Sequence, residues 1–161
     1  MPIERENFDP PQLPPLHEVA AALGVSVEYA PAPHGCDYGG FYQPTRDRIV
    51  LVTHAERTFF HELAHAAHRR VLQEQGKDLS GGQNATQEIV AETVAATLCQ
   101  LYGLGGYLFE GREYVARYAE SIKLSPERAA FKVLADVQAS LYLIVETALE
   151  VGAYMPEAAA A

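Results

Sequence analysis

Apolar positions along the chain fall into a short helical repeat, three strand-like runs and then four longer helical stretches. Leu16, Val19, Ala20 and Leu23 recur with the spacing of a helix face and predict a helix over 15–23, with Gly24 where a stop is expected. Val25, Val27 and Tyr29 then alternate with polar residues, the period of a half-buried strand. The Pro- and Gly-rich stretch 31–40 reads as loop. A hairpin follows, with Gly40-Phe41-Tyr42 as its first strand, a turn over 43–47, and a second strand over 48–52. The continuous apolar run Ile49-Val50-Leu51-Val52 suits a strand inside the sheet or beneath a helix.

Thr53-His54-Ala55-Glu56 has the form of a capping box, so a helix is expected from just after Thr53 to about residue 75, with Gly76 as its stop. Phe59, Phe60, Leu63, Ala64, Ala67, Val71 and Leu72 give it a broad apolar side, as a central helix requires. Asn84-Ala85-Thr86-Gln87 opens a second helix to about residue 102, which Gly103 ends. A Gly-punctuated connection over 103–111 leads to helices over 112–124 and 126–151, divided by Ser125 as cap and Pro126 as first helical residue. A Pro-rich lead-in over 1–14 and a small flexible tail over 153–161 flank a single domain over 15–152.

Composition narrows the classes. The 161 residues are 48% hydrophobic and 20% charged, values of one globular domain with its own core. A net charge of −9 argues against a broad nucleic-acid surface, and Arg69-Arg70 is too short to make a basic patch. Cys36 and Cys99 stand outside any CxxC or finger pattern and read as free thiols of a reducing cytosol. The N-terminus is polar and acidic, and no run is long and apolar enough for a membrane span. The expectation is a cytoplasmic protein without a membrane partner.

Chemistry concentrates in Phe59-Phe60-His61-Glu62-Leu63-Ala64-His65, which contains HExxH. Composition alone yields that pattern in roughly one chain of this length in a few hundred. Residues four apart on a helix lie one above the other, so His61 and His65 can offer two imidazole nitrogens to one Zn2+. Glu62 beside them is the candidate catalytic base. A catalytic zinc takes a third protein ligand. The metzincin extension fails, because His68 stands where its glycine should be and Val71, followed by Leu72, where the third histidine would fall. Twenty-three residues beyond His65 lies Glu88-Ile89-Val90-Ala91-Glu92, two carboxylates one turn apart on a separate helix. We read Glu88 as the third metal ligand and Glu92 as the acceptor that orients a ligand histidine, the swap being the alternative.

Other residues carry weaker signals. His68, one turn past His65, is a core or surface histidine ahead of a site contact. Cys36 reads as a free cysteine ahead of a thiolate that plugs the site. His17, His34 and His54 receive no role. Tyr42, Tyr114 and Tyr118 are the candidates for stabilising an oxyanion.

The runs Gly40-Phe41-Tyr42-Gln43-Pro44-Thr45-Arg46-Asp47-Arg48-Ile49, Phe59 to Ala66, and Glu88-Ile89-Val90-Ala91-Glu92 resemble the C-terminal metallopeptidase domain of ArdC-type antirestriction proteins. More distantly they are similar to ImmA/IrrE-type peptidases. The segment from Tyr114-Val115-Ala116-Arg117-Tyr118 through Ala139 looks like the same domain's closing helices, so the resemblance spans roughly residues 25 to 148. It implies a helix-rich α+β, zincin-like (gluzincin) fold with a small three-stranded antiparallel sheet beside the active-site helix. It also implies His61, His65 and a downstream Glu on zinc, Glu62 as base, and a protein or peptide substrate added along the sheet's edge strand. No N-terminal DNA-binding domain precedes the matching region, so direct nucleic-acid binding is not expected. The leading expectation is a zinc-dependent peptidase acting on a specific protein. The alternatives are a non-enzymatic antirestriction or regulatory protein that blocks a DNA-handling partner and keeps zinc as a clip, and a metal-free helical domain.

Overall fold

The computed structural model describes residues 8–82, 84–105 and 108–157. In chain order these form α1 (His17–Ala22), β1 (Ser26–Tyr29), β2 (Gly40–Gln43), β3 (Arg48–Leu51), α2 (Glu56–Glu74), α3 (Ala85–Leu101), α4 (Leu108–Ser121) and α5 (Pro126–Glu150), an α+β arrangement rich in helix. A 3-10 turn over Pro44–Arg46 joins β2 to β3 and closes on Asp47, whose φ of 45° lies in the left-handed region that Asp tolerates.

The sheet corrects one expectation. Its order is β1-β3-β2, with β2 antiparallel to β3 but β1 parallel to it, so the sheet is mixed rather than antiparallel. The alternation of Val25, Val27 and Tyr29 reports which face is buried and says nothing of strand direction. The loop between Tyr29 and Gly40 is long enough to carry the chain past β3 to the far side of the sheet, where only β2 and β3 form a hairpin. β3 is the central strand, and Ile49, Val50 and Leu51 are buried, as its unbroken apolar run requires.

α2 crosses this sheet and packs against α3 and α5. Phe59, Phe60, Leu63, Ala64 and Ala67 of α2 join Ile49 and Leu51 of β3, Ile89, Val90, Val94 and Leu98 of α3, and Ile144 of α5 in one core. Each fully buried large apolar side chain contributes roughly 1.5–3 kcal/mol relative to leaving it in water. Small residues bring the sheet close: a Cβ on Gly40 would lie 2.8 Å from the Val50 carbonyl oxygen and 2.8 Å from Leu51 Cδ2. Gly40→Ala is therefore expected to lower stability by about 1–3 kcal/mol through overpacking, read as a lower urea midpoint at unchanged m-value.

Helix boundaries follow local chemistry. α2 starts at Glu56, three residues after Thr53, and Ala55 precedes it without a side-chain cap. Thr53 Oγ1 instead accepts from the Ala55 amide at 3.2 Å, a local turn that replaces the expected capping box. Asn84 and Ser125 cap α3 and α5 as expected, accepting from the Gln87 and Arg128 amides. α4 begins four residues before the expected position 112, since a glycine such as Gly111 costs a helix only about 1 kcal/mol and need not end it.

Both flanks are partly docked. His54 Nε2 lies 2.8 Å from the Phe8 carbonyl oxygen, and the two rings meet at a 40° tilt with centroids 4.7 Å apart, so a histidine given no role from sequence holds the lead-in. Ala153 is buried and Tyr102 donates to the Tyr154 carbonyl at 2.7 Å, which ties down the start of the tail expected to be flexible. Residues 1–7 and 158–161 of those flanks lie outside the described residues. Among the described residues no helix is long and apolar enough to cross a membrane.

Candidate metal centre

α2 and α3 run side by side, and their polar faces meet β2 in a cleft of about 510 Å3, a volume typical of ligand sites. His61, Glu62, His65, Glu88 and Glu92 all line it, with Arg57, Tyr42, Tyr114 and Tyr118 around them. His61 Nε2 and His65 Nε2 are 3.1 Å apart. Glu88 on α3 sets Oε2 3.2 Å from His61 Nε2 and Oε1 3.4 Å from His65 Nε2. Among the described residues these three form the one cluster whose donor atoms converge within 4.8 Å.

Those separations test whether the residues fit a zinc ion. Bonds of about 2.0–2.1 Å in tetrahedral geometry set neighbouring ligand atoms roughly 3.3–3.4 Å apart. The 3.1 Å between the two nitrogens is close to one such edge, and Glu88 straddles the same centre, one oxygen 3.2 Å from His61 and the other 3.4 Å from His65. Two nitrogens and one oxygen form a donor set that zinc accepts, and the fit is good.

Glu92, one turn beyond Glu88, faces the other side of the His61 ring, with Oε1 2.9 Å from Nδ1. The oxygen lies off the donor direction of the ring nitrogen, so Nδ1 has a close carboxylate but no aligned hydrogen bond. Glu92 also receives Arg57 on its second oxygen. Glu88 thus addresses the shared centre and Glu92 the back of a ligand histidine.

The electrostatics follow from this crowding. Burial pulls the His61 pKa down, but its contacts with Glu88 and Glu92 and the Glu62 charge outweigh that and push it up to about 10. Burial raises Glu88, while hydrogen bonding to His61 and His65 wins and takes it to about 2. Glu62 is 6% exposed, and loss of water raises its pKa against the opposing pull of His61, His65 and the Tyr42 backbone. A carboxyl held above its usual range beside two histidines that share one centre is suited to proton exchange.

β2 contributes its backbone. The Val52 amide donates to the Gly39 carbonyl, so ladder bonds fall at 39, 41 and 43. The intervening Gly40 and Tyr42 turn their backbone groups to the cleft side of the open sheet edge, where the Tyr42 amide donates to Glu62.

The tyrosines separate. The Tyr42 hydroxyl donates to Asp47 at 2.6 Å and accepts from Arg70 at 3.0 Å, so it is committed to the turn. Arg70 also reaches Asp47 at 2.8 Å and the Leu23 carbonyl at 2.7 Å, while Arg69 pairs with Asp78 at 2.9 Å. The twin arginines are braces between helix and sheet. Tyr114 lies between two guanidinium groups, Arg57 at 5.1 Å and Arg117 at 4.9 Å from its ring centre. Tyr118 lines the cleft, and burial followed by the Glu88 and Glu92 charges raises its pKa.

Other candidates fall outside the centre. His68 is buried and its Nε2 lies 3.0 Å from Asp136 of α5, away from the cleft lining. Cys36 Sγ donates to the Tyr38 carbonyl, and Cys99 is buried, which pushes its thiol up to about 11. His17 contacts the Pro14 carbonyl. Arg57 was not singled out from sequence, although it stands four residues before His61 and so shares its helix face. No protein-family model matches the chain, and no curated protein or solved structure is significantly similar to it.

Proposed function

We propose that this protein is a zinc-dependent peptidase with a zincin-like (gluzincin) domain, as its likeness to ArdC-type and ImmA/IrrE-type sequences suggests. The observation that carries this reading is the convergence of His61 Nε2, His65 Nε2 and the Glu88 carboxylate on one centre, within 4.8 Å of one another, with the buried Glu62 in the same cleft. His61, His65 and Glu88 would hold the zinc, which would supply Lewis acidity for activating water and polarising a carbonyl.

The remaining work belongs to the chain. Glu62 takes a proton from water in the cleft and returns it to the leaving amine, a role its raised pKa favours. Glu92 steadies His61 from behind. The open edge of β2 at Gly40 fits an extended peptide by strand addition. Tyr118 is the tyrosine best sited to donate to a developing oxyanion, because the Tyr42 hydroxyl is engaged elsewhere.

Zinc content of the purified protein tests the reading, with a proteome-wide search for cleavage products as the readout of substrate. Near one zinc per chain is expected. Zinc-free wild type after metal supply, or full zinc in His61→Ala, would sink the site. Arg57→Ala should weaken zinc retention roughly 10–100-fold in competition with a chelator, because Glu92 loses the cation that holds it against His61. Arg57→Lys should recover part of that loss.

A further inference from the structure

α5 is apolar on two opposite faces. Val133, Val137, Ile144 and Ala148 point into the core, yet Phe131, Tyr142 and Leu149 on the other side are 76%, 65% and 65% exposed. Phe131, Ala135, Gln138, Tyr142, Val145 and Leu149 recur at spacings of four and three, the heptad seam of a coiled coil, over roughly 27 Å of helix. Of these, Val145 alone is half-buried and the rest are exposed. A second apolar stripe on a helix already docked to the core marks a face suited to a further partner.

We propose that a second copy of this chain covers the seam, with the two α5 helices antiparallel. The charges beside the seam and the sizes of its layers fit that occupant and that direction. Arg128 and Lys132 are exposed near the start of α5, and Glu146 and Glu150 near its end. Antiparallel pairing sets Phe131 against Leu149, Ala135 against Val145 and Gln138 against Tyr142, a large side chain opposite a smaller one in the first two layers. Lys132 of each copy then flanks Glu146 of the other, twice by symmetry. Parallel pairing would set Phe131 on Phe131 and Gln138 on Gln138, and would put Lys132 and Glu146 of the two copies on opposite edges of the seam, so neither cross-copy pair would form. The pairing draws on nothing in the metal centre, so it stands or falls separately from the peptidase reading. One helix pair of this length buries on the order of 1,000 Å2, the lower end of specific interfaces.

Sedimentation or light scattering on the full chain, across roughly 1–500 μM, decides the matter. The expected result is a mass that climbs with concentration to about twice the 17.6 kDa of the chain. Lys132→Glu alone and Glu146→Lys alone should each weaken the dimer at least about tenfold, since like charges then oppose across the seam. The double reversal should restore it, while circular dichroism stays unchanged in all three because both positions are exposed. A monomer throughout the range overturns the proposal. So does a dimer indifferent to the single reversals, or one that the double reversal fails to rescue.

Discussion

Glu62→Gln is expected to cut peptide-bond cleavage by roughly 10²–10⁴-fold, the usual worth of a positioned general base, while zinc content stays at the wild-type level. The substitution keeps the shape of the side chain and removes a charge that is 6% exposed and disfavoured by burial. Thermal stability should therefore hold or rise. A variant that loses zinc as well would move Glu62 from proton transfer to support of the metal. Wild-type biological effect in cells, retained by Glu62→Gln, would favour the non-enzymatic antirestriction reading.

Zinc binding to the metal-free protein at pH 7 should release about one proton, measured by calorimetry in buffers of different ionisation enthalpy. Glu88 and Glu92 hold the His61 pKa near 10, so the imidazole carries a proton that zinc must displace. The sign follows: apparent affinity rises with pH, about tenfold per unit, until the pH passes that value. Ligand substitutions should then fall into two ranks. His61→Ala and Glu88→Gln are expected to cost more than 100-fold in affinity, beyond the 10–100-fold that loss of an outer partner such as Glu92 costs. Equal losses for Glu88→Gln and Glu92→Gln would overturn the division of labour between the two acids.

Most of the framework was legible because it rests on local rules. Period and capping residues marked the helices, and Asn84 and Ser125 act as their positions suggest. The run Ile49-Val50-Leu51 announced a central strand, since only a strand covered on both faces can be apolar throughout. Thr53 and Gly111 misled for the opposite reason. A cap or a breaker is a preference of about 1 kcal/mol, which neighbouring packing overrides.

The candidate site divides along the same line. His61, Glu62 and His65 share a helix, so their spacing in the chain is already their geometry. Glu88 and Glu92 could be paired with that motif by spacing, but their roles depended on how α3 lies against α2. The packed structure turns Glu88 toward both Nε2 atoms and Glu92 toward Nδ1. Tertiary structure alone decided the parallel pairing of β1 with β3, the commitment of the Tyr42 hydroxyl to Asp47 and Arg70, and the reach of Arg57 across to Glu92. Each depends on residues far apart in the chain whose meeting is set by how the layers pack. Periodicity along one segment carries no record of that packing, so the sequence by itself determined most of the elements and the spacing of the HExxH motif, while the fold determined which side chains that motif faces.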